Sequence, residues 1–247
     1  MRDFLIALLE STLGRARVPI SHLCESIRES TDLIQRNIEV CEKRGLLRRV
    51  SDWVEIDSEQ RLMLAIEALK AHADVGRVCR KLDWREFEEL TLKALEANSF
   101  SVTKHLVFKH NGHRYEIDLV GSKEPLLLCA DCKHWNSGLG RMRIQTAARR
   151  QFERIRSLAD EIPNLANRLR VAAWRRAVIL PTVITLSDTT RGLHEGIPIV
   201  PILRLRSFLN ELNPLDRELA TIVVDLRKLN NHSSLPLGAF LPDAKAN

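Results

Sequence analysis

The chain has 247 residues, 45% of them hydrophobic, which is enough to fill the cores of one substantial domain and one small domain. No segment approaches the roughly 18–20 uncharged apolar residues of a membrane span. Arg2, Asp3 and Glu10 interrupt the first apolar run, which argues against an export signal. Because the five cysteines are scattered rather than packed into a loop-rich frame, we expect a cytoplasmic protein without membrane contact.

The positive charge is concentrated in one segment. The net charge of +6 is a weak indicator of nucleic-acid binding by itself. Residues 136–176, however, contain ten arginines and three acids, a surplus of +7 that exceeds the net charge of the whole chain. Residues 1–57 contain nine basic and ten acidic side chains, a balance of −1. A polyanionic partner is therefore expected near the arginine-rich segment.

The N-terminal region, residues 1–57, predicts three helices and a hairpin. The first helix ends at Gly14, the second begins at Ser21 as its N-cap, and the third runs from the N-cap Ser30 to Gly45. Two strand-like runs then flank Ser51-Asp52. This order resembles the winged helix-turn-helix, a small and mainly α domain.

The predicted winged helix has two possible uses. As a DNA-binding module it would present five basic residues near its third helix and wing, namely Arg36, Lys43, Arg44, Arg48 and Arg49. Glu39, Glu42 and the negative balance of the region oppose phosphate binding, so an interface for a protein partner is the alternative. Residues 58–82 follow as a proline-free connecting helix, with Gly76 as its candidate break.

The next region, residues 83–212, predicts an α/β domain in the order αβββαβ with a further βα, and residues 213–247 form a C-terminal extension. Asp83 is the N-cap of a helix spanning 84–97. Turns at 110–112 and 122–125 separate the first three strands. The predicted elements are strands at 100–108, 115–120 and 126–132, an arginine-rich helix at 142–159, strands at 177–186 and 197–203, a helix around 207–209 and an apolar run at 222–226.

Two acids and a lysine are expected to converge on neighbouring strands. Strand alternation places Tyr115, Ile117 and Leu119 on one face, which leaves Glu116 and Asp118 on the other. In the next strand Asp131 and Lys133 share a face, and the separation of 13 positions from Asp118 to Asp131 leaves room for a hairpin. Carboxylates that repel one another in a buried place are compensated by a hard divalent cation, Mg²⁺ or Mn²⁺.

The spacing of Asp118 and Asp131-Cys132-Lys133 resembles the signature of the PD-(D/E)xK nucleases. Phe87-Glu88 is similar to the pair by which the first helix of that fold supplies an acid to the metal site. Within the superfamily, the arrangement is most similar to Mrr-type restriction endonucleases and archaeal Holliday-junction resolvases, with Asp131 in place of the commoner glutamate and His134-Trp135 after the lysine. The resemblance covers about residues 83–212.

The resemblance implies a restriction-endonuclease-like core with a mixed central sheet and a metal-dependent DNA nuclease, endonucleolytic, acting in repair, recombination or restriction. Asp118, Asp131 and the carbonyl of Cys132 would bind Mg²⁺ (or Mn²⁺), with Glu88 helping directly or through water. Lys133 would orient or activate the attacking water. The resembling enzymes cut both strands with two subunits, so a homodimer is implied.

Several weaker signals remain beside this site. Cys129 and Cys132 form a CxxC pair, but residues three apart on a strand face opposite ways, which opposes a metal thiolate site. Glu116 could enter the metal shell or pair with an arginine at the rim. On the helix that follows the catalytic strand, Arg141, Arg143 and Arg149 are expected to touch the DNA backbone, and Gln145 or Gln151 could approach the phosphate.

The main alternative is a non-catalytic DNA-binding protein or transcriptional regulator that uses the nuclease fold as a scaffold. A second alternative is an interaction module whose winged helix recruits a protein partner. Metal-dependent DNA cleavage separates both from the nuclease. The sequence leaves open the DNA substrate, endonucleolytic or exonucleolytic action, and the number of metal ions.

Overall fold

A mixed β-sheet of seven strands lies at the centre of the computed structural model, which describes residues 1–27, 29–134, 141–186 and 192–227. Helices pack on both faces of this sheet, so the predicted α/β class and mixed central sheet are confirmed. No helix in the described ranges is both long enough and apolar enough to cross a lipid bilayer.

The N-terminal region forms three helices and a three-stranded antiparallel sheet of order β1-β3-β2. Its elements are α1 (Arg2–Ser11), β1 (Arg17–Pro19), α2 (Ile20–Ser26), α3 (Thr31–Lys43), β2 (Arg48–Val50) and β3 (Trp53–Glu55). The predicted helices and hairpin are present, whereas β1 was not predicted.

The predicted helix caps of this region are partly correct. Ser30 caps α3, since its side chain accepts a hydrogen bond from the backbone N–H of Leu33. Gly14 and Gly45 follow α1 and α3 with φ of +69° and +72°, a left-handed conformation that glycine adopts without strain. The prediction for Ser21 was wrong: α2 begins one residue earlier, and its N-cap position is Pro19, which makes no side-chain cap.

The predicted connecting helix is two helices, α4 (Ser58–Lys70) and α5 (Val75–Cys79). The chain turns at His72, which has φ of +59°, and the Asp74 side chain caps α5 by accepting from the N–H of Arg77. Gly76, the predicted break, lies inside α5. The prediction of one helix over 58–82 was therefore wrong, because a local N-cap starts a new helix before Gly76.

The main sheet and its helices follow the predicted order αβββαβ. They are α6 (Trp84–Ala97), β4 (Ser101–His110), β5 (His113–Lys123), β6 (Leu126–Lys133), α7 (Arg141–Leu165), β7 (Arg176–Thr185), β8 (Gly192–His194), β9 (Ile197–Pro201), α8 (Leu205–Glu211) and β10 (Ile222–Asp225). Asp83 caps α6 as predicted, in a reciprocal capping box with Glu86.

Strand order in the main sheet is β4-β5-β6-β7-β9-β8. The first three strands form an antiparallel meander, whereas β6, β7 and β9 are parallel and β8 returns antiparallel to β9. Part of the C-terminal extension, β10, pairs with the beginning of β7. Helix α7 is the crossover between the parallel strands β6 and β7, and it packs on one face of the sheet.

Two apolar clusters cover the two faces of the sheet. On one face Phe87 of α6 packs with Leu128 and Ala130 of β6, and this cluster continues without interruption through α4 to α1. On the other face Leu127 and Cys129 pack against the apolar side of α7. The N-terminal helices are therefore joined to the sheet by a shared core. Because side chains alternate along a strand, the odd-numbered residues Leu127 and Cys129 of β6 face α7.

A buried ion pair links the N-terminal helices to α6. The Arg61 guanidinium of α4 donates from Nε to Glu86 Oε1 at 2.6 Å, and both residues are only 6% exposed. The same guanidinium donates to the carbonyl of Leu9 at 2.8 Å and to the hydroxyl of Thr12. Glu86 Oε2 also accepts from the backbone N–H of Asp83. This network fixes the start of α6, the helix that carries Glu88.

Candidate active site

The β4–β5 ladder is interrupted at one pair, His105 and Asp118. The strands pair on both sides of this position without any insertion, and His105 has φ of +44°, a strained conformation for a non-glycine residue. The side-chain alternation changes across the interruption. Ile117 packs on the α7 side with Tyr115, whereas Leu119 packs on the α6 side. The prediction that all three apolar residues share one face was therefore wrong.

Asp118 lies at this interruption and faces the end of β6. The β5–β6 ladder ends at the pair Leu119 and Ala130, so one further step of the register places Asp118 opposite Asp131. Asp118 Oδ2 accepts a hydrogen bond from the backbone N–H of Cys132 at 2.8 Å. Burial, and then the negative charge of Asp131, raise the pKa of Asp118 despite that hydrogen bond. The two aspartates are brought together as predicted.

Asp131 is 2% exposed and contacts two cationic side chains. Lys133 Nζ lies 2.9 Å from Oδ1 and 2.8 Å from Oδ2 but satisfies hydrogen-bond geometry only with Oδ1. Arg154 Nη1 donates to the same Oδ1 at 2.8 Å. Asp131 and Lys133 share a face, as predicted. Oδ2 is buried and accepts no hydrogen bond within the described part of the chain, and the ammonium of Lys133 is its ion-pair neighbour.

Arg154 was not singled out by the sequence, and Gln151 holds it in place. Gln151 is fully buried, donates from Nε2 to the carbonyl of Cys129 at 2.8 Å, and accepts from Arg154 Nη1 at 3.2 Å. The spacing of three residues puts Gln151 and Arg154 on one face of α7. Gln151 therefore positions Arg154 beside Asp131.

Glu88 faces Asp118 from α6. It is buried, and that burial, followed by the charge of Asp118, raises the pKa of Glu88. His105 bridges it to Glu116: Nε2 lies 3.7 Å from the Glu88 carboxylate and Nδ1 lies 3.3 Å from that of Glu116. The side chain beside Glu116 is thus a histidine and not an arginine, and the half-exposed Glu116 lies at the rim of the site.

The two CxxC thiols face opposite sides of the sheet, as predicted. Cys129 belongs to the cluster under α7, and Cys132 packs on the α6 side. Burial raises the pKa of both thiols, that of Cys132 well above its usual value. His134 also points to the α6 side, where its ring packs edge-to-face with that of Phe87 at 5.8 Å between the ring centroids. Trp135, the other residue of the predicted motif, lies outside the described residues.

The donor set at this place fits a hard divalent cation. Among the described residues, no three His, Cys, Asp or Glu side chains form a cluster that could hold a metal. Mg²⁺ needs fewer protein ligands, because it binds through one or two carboxylates and completes its octahedron with water and substrate phosphate. Asp118, Asp131 and the Cys132 carbonyl would meet that requirement, and Asp131 Oδ2, which accepts no hydrogen bond among the described residues, is consistent with it. Glu88 would then contact the cation through a water molecule.

A cationic cavity of about 370 Å³ opens beside Asp131. Its walls are Asp131, Lys133, Met142, Arg143, Thr146, Ala147, Arg150 and Arg154. Of the predicted DNA-binding residues, Arg143 lines this cavity, whereas Gln145 is half-buried and does not line it. Arg149 pairs instead with Glu195 at 2.8 Å, and the side chain of Arg141 is outside the described residues.

The predicted basic residues of the N-terminal region are partly neutralised. Arg36 and Lys43 are exposed on α3. Arg44 pairs with Glu67, and Arg48 pairs with Glu55. The backbone N–H of Arg49 donates to Glu42, and its side chain to the carbonyl of Ser51. This surface is therefore less cationic than the cavity beside Asp131, and its contact with DNA stays a prediction.

No protein-family model matches the chain. Among solved structures, protein VC1899 from Vibrio cholerae has a TM-score of 0.34 at 10% identity, with 84% of this chain and 49% of that chain covered. Can2 from Sulfobacillus thermosulfidooxidans, solved in complex with cyclic tetra-adenylate, has a TM-score of 0.30 at 10% identity, with 83% and 45% covered. The chain therefore spans less than half of each of these two proteins.

A sequence relative covers a shorter segment at higher identity. An uncharacterized protein of Archaeoglobus fulgidus is 31% identical over 130 residues, which are 53% of this chain and 92% of that protein. This identity extends over nearly the full length of the relative. The chain therefore belongs to the same family as the uncharacterized protein of Archaeoglobus fulgidus.

Proposed function

We propose that the protein is a metal-dependent DNA nuclease of the PD-(D/E)xK type, which hydrolyses phosphodiester bonds endonucleolytically in DNA repair, recombination or restriction. One observation carries this proposal. Asp131 is buried opposite a second carboxylate, contacts the ammonium of Lys133, and keeps one oxygen without a hydrogen bond among the described residues. A buried acid that serves only the fold has its oxygens satisfied, because unsatisfied buried polar atoms destabilise it.

The fold supports the same proposal. The order α6, β4, β5, β6, α7, β7 is the αβββαβ arrangement expected of a restriction-endonuclease-like core. The acids lie on the second and third strands of the meander and on the helix before it, as the resemblance implies. Three helices and a hairpin precede this core, which supports a winged helix-turn-helix as the N-terminal module.

In this proposal each residue has a distinct task. Asp118, Asp131 and the Cys132 carbonyl would hold Mg²⁺ (or Mn²⁺), and Glu88 would act through water. When bound, the ion would supply a lower pKa for the attacking water and stabilisation of the negative charge that develops on the phosphate. Lys133 keeps a compact positive charge beside Asp131 and orients the attacking water. The strained His105 stands opposite Asp118 at the interruption in the sheet and contacts the Glu88 carboxylate, so it would help to hold Glu88 near Asp118.

The proposed partners are DNA and a second copy of the chain. The cationic cavity leads from Asp131 along α7, so the DNA backbone is expected to approach on this side. Cutting of both strands by one site on each of two subunits is the reason to expect a homodimer, which sedimentation at equilibrium measures directly. The N-terminal module contacts either the same DNA or a protein partner.

The proposal is tested with supercoiled, linear and branched DNA, each incubated with Mg²⁺ or with EDTA. Wild-type protein should cut only with Mg²⁺. Asp131→Asn should abolish cutting, and Lys133→Ala should lower its rate by about 100-fold or more, since both remove charge from the reacting centre. The matched controls are Asp160→Asn on the exposed side of α7 and Lys93→Ala on α6, which should both cut like wild type.

Circular dichroism of each variant confirms that it is folded before its rate is interpreted. Cutting that survives both substitutions, or that proceeds in EDTA, overturns the proposal. Tight DNA binding with no cutting by any form of the protein supports the non-catalytic DNA-binding alternative instead.

A further inference from the structure

We propose that the cavity beside Asp131 is a phosphate-binding subsite, that Arg154 is its recognition residue, and that phosphate binding there releases Asp131 for the metal ion. This inference rests on the proposed nuclease function and adds to it an order of binding. Nucleic acid and cation would bind cooperatively, with Arg154 moving its hydrogen bond from the carboxylate to the phosphate.

The charge of the cavity favours a small anion. Four cationic side chains line it, Lys133, Arg143, Arg150 and Arg154, against the single carboxylate of Asp131. The difference between these counts is a local surplus of three positive charges, which attracts an anion to a concave place. A volume of about 370 Å³ is large enough for a phosphate with its adjoining sugar.

Arg154 has hydrogen-bond donors available for a second anion besides the Asp131 carboxylate. Gln151 is fully buried and anchors one side of the guanidinium, because it accepts from Nη1 at 3.2 Å. Within the described ranges the Nε and Nη2 groups make no hydrogen bond, although the guanidinium carries five N–H donors in a planar fork. A fork of this kind matches the two oxygens of a phosphate, so the free side of Arg154 suits a phosphate in the cavity.

The present contacts of Asp131 oppose a cation that arrives alone. Both oxygens lie within 2.9 Å of Lys133 Nζ, and Arg154 donates to Oδ1 at 2.8 Å. A divalent ion at this carboxylate would lie next to two positive side chains and be repelled by them. A phosphate in the cavity gives Arg154 another negative partner, and the repulsion at Asp131 falls.

Linkage makes the effect reciprocal. If phosphate increases the affinity for the cation, the cation must increase the affinity for phosphate by the same factor. Coupling of this kind is commonly about 5-fold to 150-fold. The expected factor here is at least about 10-fold, because the same side chain would change partners between the two states.

The experiment measures Mn²⁺ binding by electron paramagnetic resonance and by calorimetry, with and without thymidine 3′,5′-bisphosphate. This probe carries phosphate but has no phosphodiester bond to cleave, so binding is read separately from activity. In wild-type protein the probe should tighten Mn²⁺ binding by about 10-fold or more. In Arg154→Met, Mn²⁺ should bind more tightly than to wild type in the absence of probe, and the coupling should fall to near 1.

Two further variants separate recognition from mere support of the fold. Arg156→Met lies two residues away on the exposed side of the same helix and should retain the wild-type coupling. Arg154→Lys keeps the charge without the planar fork and should restore part of the probe affinity measured in EDTA. A merely structural arginine would not give this graded series.

Equal coupling in wild type and Arg154→Met overturns the inference. Loss of Mn²⁺ binding in folded Arg154→Met also overturns it, because Arg154 would then only hold Asp131 in place. If the wild-type protein shows no Mn²⁺ binding that depends on Asp131, as tested with Asp131→Asn, the result counts against the proposed nuclease itself. The Arg154-dependent binding of the probe in EDTA still reports on the phosphate subsite in that case, so the two failures are distinguishable.

Discussion

Two buried charge networks in this protein differ in how fully their hydrogen-bonding groups are satisfied. At the junction of α1, α4 and α6, the carboxylate of Glu86 accepts from Arg61 and from a backbone N–H, and Arg61 is also bonded to Leu9 and Thr12. At the end of β6, Asp131 has two cationic neighbours and still one oxygen without a hydrogen bond among the described residues.

The difference distinguishes a structural network from a functional one. A buried ion pair is stable only when additional hydrogen bonds satisfy both partners, and the Arg61 network meets this condition. The Asp131 site does not meet it, and a second carboxylate, that of Asp118, lies opposite with a raised pKa. An arrangement that is unfavourable by itself becomes favourable when a ligand completes it, which is why such sites mark function.

The largest expected effect on stability comes from the completed network. Arg61→Met should lower the free energy of unfolding by about 3–5 kcal/mol, because it leaves the buried carboxylate of Glu86 without its counter-charge. Urea denaturation followed by circular dichroism measures this change. Activity per folded molecule should change much less, since this network does not touch the candidate active site.

A double variant checks the cause. Adding Glu86→Gln to Arg61→Met removes the unpaired charge but keeps a side chain that can cap Asp83. It should recover a large part of the lost stability. If the double variant is as unstable as Arg61→Met alone, the loss arises from packing around α4 and not from the buried charge, and the contrast between the two networks disappears.

The sequence predicted the elements around the site well because their signals are local. The Asp83 cap and the apolar period gave α6 its observed bounds, and the Asn111-Gly112 turn, with φ of +47° and +80°, fixed the β4–β5 hairpin. The errors concern interactions between elements. Strand β1 has three residues and is defined only by its pairing with β3, and no local sequence pattern predicts that pairing.

The sequence predicted which acids and which lysine lie close together, but it did not predict the reversal of side-chain faces or the arginine that contacts Asp131. Asp118, Asp131 and Lys133 follow from strand register, which the sequence spacing contains. The reversal of side-chain faces at His105 involves two strands together and is not visible in either one. Arg154 was one of ten arginines in its segment. Which of them reaches Asp131 depends on how the crossover rotates α7, and only the fold determines that rotation.

A smaller effect is expected at the incomplete site. Asp118→Asn should raise the melting temperature by about 2–4 °C, which corresponds to about 1 kcal/mol in a protein of this size. Asparagine removes the repulsion with Asp131 and retains an oxygen that can accept from the N–H of Cys132. The same variant should lose metal-dependent cutting, so stability and activity change in opposite directions.

The pH dependence of this gain follows from the raised pKa of Asp118. Between the ordinary aspartate value of 3.8 and the raised value, the folded protein retains a proton that the unfolded chain has released. The stability contributed by this group therefore falls as the pH rises through that window. The stability gained by Asp118→Asn should therefore be absent at pH values below this range, where Asp118 is protonated in both states, and fully present at pH values above it. Asp160→Asn is the control, and an equal gain there would contradict the assignment of the effect to Asp118.

The smallest effect is expected at the exposed pair of Arg149 and Glu195. Their side chains are 65% and 50% exposed, and exposed pairs of this kind contribute little to stability. Glu195→Gln should therefore leave the melting temperature unchanged and free Arg149 for the DNA backbone. If the freed Arg149 then contacts a phosphate, DNA affinity should depend more steeply on salt concentration. The slope of log affinity against log salt should change by up to the amount expected for about one added phosphate contact. Titrations of fluorescent duplex DNA at several salt concentrations measure this slope. An unchanged slope removes Arg149 from the proposed DNA-binding surface.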